Sequence, residues 1–175
     1  MAVLQILKYP SRILLAPTAR VERIDDSIKK IVKDMFETMY AAPGIGLAAN
    51  QVGVPLQIAV IDISQEEEKR DPKALINPEV IDSDGLQLEE EGCLSVPGFS
   101  EAVERPTRMT VSALNLDGEK YLIQGEGLMA RALSHEIDHL NGKVFIYRLS
   151  LLKRDFIKRK IKKLIKSGEW AGVLE

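Results

Sequence analysis

The chain is poor in the residues on which several protein classes depend. Its 175 residues include one cysteine, two histidines and one tryptophan, and aromatic residues make up only 5%. A single cysteine excludes a fold stapled by internal disulfides and is typical of a protein from a reducing compartment. So few aromatic side chains also argue against a surface of stacked aromatics, which single-strand nucleic-acid binders use.

Long apolar stretches are missing as well. No run approaches the roughly 18–20 residues that a membrane span requires. The N-terminus has no basic leader followed by an apolar stretch and a cleavage site. The hydrophobic fraction of 45% and the charged fraction of 29% are those of a globular protein with a core. We therefore expect a cytoplasmic protein whose residues 1–175 form a single domain.

The net charge of −2 is unevenly distributed, because eight basic residues and one acid lie between Ser150 and Lys166. A helix is predicted there, from about Leu149 to Lys166, with an apolar stripe formed by Leu152, Phe156, Ile157, Ile161, Leu164 and Ile165. Two interpretations are open. The stripe packs on the body while the lysines form a solvated face, or the basic helix has a partner of its own.

Two other helices are predicted from apolar residues at spacings of three and four. The first spans about Ser27–Tyr40 and ends at Pro43 and Gly44, while the second spans about Gly127–Leu140 and ends at Asn141-Gly142.

Strand patterns occupy the middle of the chain. Segments rich in β-branched residues lie at Gln57–Ile63 and Leu75–Val80, and Pro78 makes the latter an edge or irregular strand. Asp117-Gly118 predicts a hairpin between Met109–Leu116 and Lys120–Gln124. Alternating strand–helix units are missing, so we expect an α+β fold with irregular antiparallel strands around a central helix, the one at Gly127–Leu140.

Both histidines lie on this central helix, in His135-Glu136-Ile137-Asp138-His139. Side chains at i and i+4 share one helix face, so two imidazoles can bind the same metal ion. Glu136 follows the first histidine and stands where a general base must be to deprotonate water at a metal. The competing interpretation is a helix with two surface histidines and a solvated glutamate.

Cys93 is the candidate third ligand. A catalytic metal site uses three protein ligands and keeps an open position, and the chain has no third histidine. A thiolate binds zinc or iron well, and the preceding Gly92 allows close backbone approach. An inert buried cysteine and a nucleophile remain alternatives, but a nucleophile would need its own base.

A third segment, Gly44-Ile45-Gly46-Leu47-Ala48-Ala49-Asn50-Gln51, is rich in small residues. It lacks the lysine of a phosphate loop, and its glycines permit close approach by substrate or by another chain. The amide of Gln51 is a candidate donor to a developing oxyanion. A simple helix-to-strand turn is the competing interpretation.

Together the three segments resemble the peptide deformylase family. That family is marked, in this order, by Gly-x-Gly-Leu-Ala-Ala-x-Gln, Glu-Gly-Cys-Leu-Ser and His-Glu-x-x-His, and this chain matches every fixed position. The likeness extends over nearly the whole chain. It implies a metal-dependent hydrolase that removes the N-terminal formyl group from formylmethionyl nascent chains, with hydroxide attacking the formyl carbon and formate leaving.

The resemblance also implies roles for the motif residues. Cys93, His135 and His139 would bind the metal, and Glu136 would take a proton from water and later deliver it to the amine. The side-chain amide of Gln51 and the backbone N–H of Leu94 would hold the oxygen of the tetrahedral intermediate. By the same resemblance, ferrous iron is the physiological ion, with zinc, nickel and cobalt as alternatives.

Substrate contacts are implied in the same way. Gly46 would pair with the substrate backbone as an added strand, flanked by Ile45 and Gly92, and the pocket for methionine would be formed by Leu128, Arg131 and Ala132. The implied partners are the N-formylmethionyl peptide and the ribosome, which the basic C-terminal helix would contact; no membrane or DNA is expected.

Three further residues bear on these roles. Some relatives carry a substrate-binding arginine seven residues after the metal-binding cysteine, where this chain has Ser100. Asp138 and Arg105 are candidates to orient a histidine or to tie down the cysteine loop, with surface ion pairing as the alternative.

Two rival functions stay open on sequence alone. An ordinary metalloprotease shares the paired histidines and the glutamate but commonly takes a histidine or glutamate as its third ligand. A ribosome- or RNA-binding domain with a structural metal would not need a glutamate beside the ligands.

Overall fold

A five-stranded antiparallel sheet organises the chain in the computed structural model, which describes residues 2–64 and 66–170. The strand order is β1-β2-β3-β6-β7, and β4 and β5 form a separate antiparallel hairpin. In chain order the strands are β1 (Gly46–Ala48), β2 (Ile58–Ile61), β3 (Lys73–Asp84), β4 (Gln87–Gly92), β5 (Ser100–Arg105), β6 (Arg108–Leu114) and β7 (Lys120–Glu126).

The three predicted helices are confirmed, each within two residues of the expected ends. They are α1 (Asp26–Ala41), α2 (Leu128–Leu140) and α3 (Leu151–Ser167). Helices and antiparallel strands occupy separate parts of the chain, so the predicted α+β class is confirmed.

The sheet is covered by a helix on each face, and strand β2 shows why. Successive side chains of a strand point to opposite faces. Ile58 and Val60 pack in a cluster with α1, whereas Ala59 and Ile61 pack in a cluster with α2. All four residues are fully buried, so α2 is held against an apolar sheet face along its length.

A third apolar cluster lies beside this sandwich and holds α3. It joins Tyr9 and Leu14 of the N-terminal segment to Val96 of the loop after β4, and to Ile157 and Ile161 of α3. The loop that carries Cys93 is therefore packed between the two ends of the chain.

Strand β3 departs from its prediction in one respect. It is irregular as expected, with register shifts on either side of Glu79 in its pairing with β6. It is not an edge strand, because it pairs with β2 on one side and β6 on the other. The irregularity begins at Asn77, which has a positive φ of 51°. This bulge accommodates the missing N–H of Pro78 inside the sheet.

Two β elements were missed by the sequence interpretation. The segment Gly44–Gln51 is more than a turn, since it contains β1 and a short 3-10 helix, Ala49–Val52. The hairpin of β4 and β5 was also missed, because β4 is acidic and only Glu91 on it is buried. The predicted hairpin at Asp117-Gly118 is confirmed, with β6 and β7 paired along their whole length.

The predicted apolar stripe of α3 is only partly buried. Ile157 and Ile161 face the body, but Leu152 is 83% exposed and Phe156 is 56% exposed. At 3.6 residues per turn, Phe156 and Leu152 lie roughly 120° and 160° around the helix from the middle of the packed side. The interpretation in which the whole stripe packs on the body is therefore wrong, and α3 presents apolar as well as basic side chains to solvent.

Within the residues that the structure describes, no helix has the length and apolar character required to cross a membrane.

The bulge in β3 leads to a stability prediction. The buried side chain of Asn77 accepts a hydrogen bond from the Val21 N–H (2.8 Å) and donates one to the Val21 carbonyl (2.9 Å). We expect Asn77→Ala to lower the free energy of unfolding by roughly 2–4 kcal/mol, because two buried backbone groups lose partners and alanine is strained at positive φ. Urea denaturation measures this change.

The matched control is Asn141→Ala, since Asn141 is exposed and its side chain donates only to the Ile137 carbonyl. Its free energy of unfolding should change by about 0.5 kcal/mol or less. Equal losses in the two variants would contradict the role assigned to Asn77.

Candidate metal centre and active site

Three side chains from two distant parts of the chain meet at the centre of the molecule. His135 and His139 lie one turn apart on α2, and Cys93 follows the last residue of β4. The Sγ of Cys93 is 3.2 Å from the Nε2 of His139, which is 3.1 Å from the Nε2 of His135. All three ligand atoms lie within 4.8 Å of one another.

This arrangement fits a metal ion. Thiolate and imidazole are common ligands of zinc and other transition metals, and ligands at 2.0–2.3 Å around one tetrahedral ion stand about 3.3–3.8 Å apart. The separations within the Cys93–His135–His139 cluster bracket this range. The donor set leaves the identity of the ion open.

Glu91 fixes the orientation of the first histidine. The Nδ1 of His135 is 2.6 Å from a carboxylate oxygen of Glu91, so the Nε2 faces the other two ligand atoms. A hydrogen bond at one imidazole nitrogen selects the tautomer that can bind a metal with the other. The sequence interpretation missed Glu91, although it lies two residues before Cys93 in the matched motif.

Arg105 holds Glu91 in turn. Its Nε and a terminal nitrogen donate to both carboxylate oxygens of Glu91, and another nitrogen donates to Asp138 and to Ser134 at 3.1 Å. The Arg105 side chain is fully buried, so surface ion pairing is excluded for it. Arg105 therefore ties β5, the end of β4 and α2 together around the centre.

Asp138 does not hydrogen-bond to either histidine in the described part of the chain. Its carboxylate accepts from Arg105 and from Arg148, whose Nε and Nη2 lie 2.5 and 2.9 Å from its two oxygens. Burial alone would raise the pKa of Asp138, but these two guanidinium groups lower it. Asp138 thus positions Arg105 and reaches His135 only through Arg105 and Glu91.

The two histidines differ in their affinity for a proton. Burial disfavours the charged form of each, but hydrogen bonds to Cys93 and Glu91 raise the pKa of His135 well above its usual value. The pKa of His139 is lowered far below its usual value by burial and by the neighbouring His135. Metal binding requires both rings to be neutral.

Glu136 lies beside the cluster and is 4% exposed. One of its carboxylate oxygens is buried without a hydrogen-bond partner among the described residues. Burial raises the pKa of Glu136 to about 7. The carboxylate lies against the α-carbon of Gly46, where an added Cβ would stand 2.3 Å from a Glu136 oxygen. Only glycine at position 46 leaves room for this carboxylate.

Gln51 has a fixed amide orientation. Its side-chain oxygen accepts from the Ala48 N–H at 2.8 Å, so its nitrogen faces the loop after β4. That nitrogen lies 3.1 Å from the Ser95 hydroxyl oxygen and 3.7 Å from the Cys93 sulfur. The side-chain N–H groups of Gln51 are therefore directed toward the cluster. The sequence interpretation gave no role to Ser95, the partner of Gln51, although it is the last residue of the matched Glu-Gly-Cys-Leu-Ser motif.

A cavity of about 410 Å³ opens onto the cluster. Every substrate-binding, catalytic and metal-binding candidate from the sequence lines it except His139, which is fully buried. The lining includes Ile45, Gly46, Gln51, Gly92, Cys93, Leu94, Leu128, Arg131, Ala132, His135 and Glu136.

Ser100 stands where some relatives carry a substrate-binding arginine. The Ser100 hydroxyl donates to the carboxylate of Glu90 at 2.6 Å. Among the described residues, Arg131 is the one lysine or arginine that lines the cavity, and it donates to the Glu90 carbonyl at 2.7 Å. Ser100 does not line the cavity and carries no charge, so it does not replace the arginine there.

Comparison with known proteins gives a consistent family. A family model described as polypeptide deformylase matches residues 3–155. A peptide deformylase of Acidobacterium capsulatum is 48% identical over 170 residues, which cover 97% of this chain and 100% of that protein. Peptide deformylase 1 of Burkholderia multivorans is 54% identical over 165 residues, covering 94% of this chain and 90% of that one.

Solved structures agree with these relatives. The crystal structure of peptide deformylase from Ehrlichia chaffeensis in complex with actinonin has a TM-score of 0.88 and 45% identity, covering 93% of this chain and 98% of that chain. A peptide deformylase from Legionella pneumophila has the same TM-score at 44% identity, covering 95% and 98%.

These matches favour the deformylase over the metalloprotease and the RNA-binding domain. The chain belongs to the peptide deformylase family, whose members are metal-dependent hydrolases that remove the formyl group from nascent polypeptides.

Proposed function

We propose that Cys93, His135 and His139 hold one divalent ion at which the formyl amide of N-formylmethionyl peptides is hydrolysed. The observation that carries this assignment is the meeting of these three ligand atoms within 4.8 Å at the floor of a cavity. The chemistry that the bound ion supplies is Lewis acidity, which lowers the pKa of water to about 7 and polarises a carbonyl.

Ferrous iron is the ion that we assign to this site, on the family resemblance. Two imidazoles and a thiolate are equally compatible with zinc, nickel and cobalt, so the donor set alone does not select it. The experiment below therefore includes metal analysis of protein purified without oxygen.

Glu136 is the proposed general base and acid. It takes a proton from the attacking water and returns it to the departing amine nitrogen, and formate leaves. Its burial, which raises the pKa to about 7, supports this role, because a group with a pKa near the working pH both accepts and releases protons efficiently.

Gln51 and Leu94 are the proposed oxyanion donors. The amide nitrogen of Gln51 faces the cluster, and its orientation is fixed by the Ala48 N–H, so no reorganisation is required during the reaction. Leu94 follows Cys93 directly and lines the same cavity, which supports the use of its backbone N–H.

The substrate backbone is proposed to bind as an additional strand. β1 lies at the edge of the sheet, so one side of Gly46 is free of strand partners in the described part of the chain. An extended peptide can pair with such an edge through its backbone. Ile45 on the same segment and Gly92 at the end of β4 line the cavity on either side.

The methionine side chain is assigned to the part of the cavity next to α2. Leu128 and Ala132 lie one turn apart on this helix and are both cavity-lining, with Arg131 between them. An apolar wall with few polar groups suits an unbranched thioether side chain.

Docking on the ribosome is proposed for the exposed face of α3, with the cytoplasm as the place of action. The helix combines basic residues with the exposed side chains of Leu152 and Phe156. Contacts of lysine and arginine with RNA phosphates give binding that weakens steeply with salt.

Formate release and metal content together test the proposed centre. We expect anaerobically purified wild type to carry one equivalent of iron and to release formate from formyl-Met-Ala-Ser. Cys93→Ala should lose both metal and activity, because two imidazoles alone hold an ion weakly. Glu136→Ala should keep its metal and lose about 10²–10⁴-fold in turnover.

Each variant serves as the control for the other. A Glu136→Ala protein that turns over normally, or that is purified without metal, would remove Glu136 as the base. Full metal content in Cys93→Ala would remove Cys93 from the ligand set.

Gln51→Ala tests the oxyanion donor. We expect a folded protein whose kcat falls by about 10²–10³-fold, because one preorganised donor is lost in the transition state. Steady-state formate release gives kcat, and circular dichroism checks the fold. Turnover close to wild type would exclude Gln51 from the mechanism.

Charge reversal tests docking by α3. We expect Lys162→Glu with Lys166→Glu, both exposed, to reduce co-sedimentation with ribosomes at least about tenfold at low salt. Lys29→Glu with Lys33→Glu, an exposed pair at the same spacing on α1, should leave it unchanged. Equal binding by both double variants would argue against docking through α3.

A further inference from the structure

The only tryptophan of the chain lies where α3 returns to the body. Trp170 lies two residues after Gly168, the left-handed residue that ends α3. The backbone N–H of Trp170 donates to the Leu164 carbonyl at 3.2 Å. Trp170 is 7% exposed, and its indole N–H donates to the Tyr9 carbonyl at 2.7 Å. The Lys8 ammonium stands 5.4 Å from the ring centre.

Trp170 contacts a wall of the proposed substrate cavity. Its ring meets Phe99 edge to face, with centroids 6.1 Å apart and planes at 66°. Phe99 precedes β5 and lines the cavity together with Gly98. Gly98 has a positive φ of 80°, and a Cβ added there would meet no atom within 4 Å. The indole is one of the buried groups of the α3 cluster against which Phe99 packs, and it makes the aromatic contact with that ring.

A second connection runs through the backbone of Tyr9. The Tyr9 carbonyl accepts from the Trp170 indole, while the Tyr9 N–H donates to the Ser95 carbonyl at 2.9 Å. Ser95 in turn receives the hydrogen bond from the Gln51 amide. Trp170 is thus joined to both ends of the loop between β4 and β5, by an aromatic contact at Phe99 and by hydrogen bonds through Tyr9.

We infer that Trp170 is a positioning residue that holds Phe99 as a preformed wall of the substrate cavity and so couples the end of α3 to substrate binding. This inference rests on the proposed function, which makes the cavity the peptide site. An aromatic side chain ordered before binding lowers the entropic cost of association. Losing the indole therefore weakens peptide binding while the reacting groups stay in place.

The coupling is reciprocal. If the indole favours the peptide-binding arrangement of Phe99, a bound peptide must favour the same arrangement of the indole. Because Trp170 is the only tryptophan, its fluorescence reports on this contact in the unmodified holoenzyme. A partner that displaced the end of α3 would change the apparent affinity for the peptide through the same contact.

The first test uses the wild-type holoenzyme and the deformylated peptide Met-Ala-Ser, which is not turned over. We expect a saturable change in tryptophan emission whose midpoint equals the Kd measured by calorimetry. Binding without a change in emission overturns the inference and leaves the proposed function intact. Absence of binding together with absence of formate release from formyl-Met-Ala-Ser refutes the proposed function, and the inference with it.

The second test separates positioning from folding. Trp170→Ala should raise KM about tenfold with kcat and metal content within twofold of wild type, and Trp170→Phe, which keeps a ring against Phe99, should raise KM about threefold. Leu122→Ala, which removes an exposed apolar side chain of β7 outside the cavity lining, should leave KM unchanged. A KM within twofold of wild type in a folded Trp170→Ala protein, or a loss of kcat or metal at constant KM, overturns the inference. If Trp170→Ala does not fold, Trp170→Phe and the emission of the wild type decide.

Discussion

The arrangement of the site depends on one buried guanidinium group. Arg105 is the largest fully buried side chain of the described residues, and it lies between the carboxylates of Glu91 and Asp138. Breaking such a buried pair costs about 3–5 kcal/mol, because an unpaired charge is left away from water. The positions of these three charged side chains therefore depend on one another. The orientation of the His135 ring depends on them as well, because its Nδ1 is hydrogen-bonded to Glu91.

The fold brings together motifs that are distant in the chain by packing α2 between the sheet and the hairpin of β4 and β5. α2 is held by the sheet on one side, which fixes the positions of His135 and Glu136. On the other side it meets the end of β4 through Arg105, which fixes Cys93. β1 at the edge of the sheet brings Gly46 against the same helix. The rigidity of the site thus comes from regular structure, and the loop after β4 is the part that depends on contacts with both chain ends.

Sequence alone identified the residues whose type is rare or whose spacing is informative. Cys93 was found because it is the only thiol, and the histidines because their spacing matches one turn of helix. Glu91 was missed because it is one of 26 acidic residues and nothing in its local pattern indicates burial. Pro78 predicted an edge or irregular strand, and the irregular form is the one that occurs, because a bulge lets Pro78 lie inside the sheet. The exposure of Leu152 was missed because periodicity shows that a helix has an apolar side but not how wide a groove receives it.

The close approach of Gly46 to Glu136 means that the size of the residue at one position limits the size of the residue at the other. There is no room for a methyl group between the α-carbon of Gly46 and the carboxylate of Glu136. The position of this carboxylate therefore depends on the absence of a side chain at Gly46. With alanine at position 46, the Glu136 carboxylate would have to move away from the cluster, or position 136 would have to carry the shorter aspartate. Both positions are fixed in the motifs that mark the family, so we expect homologous proteins and active members of directed-evolution libraries to retain the two residues together.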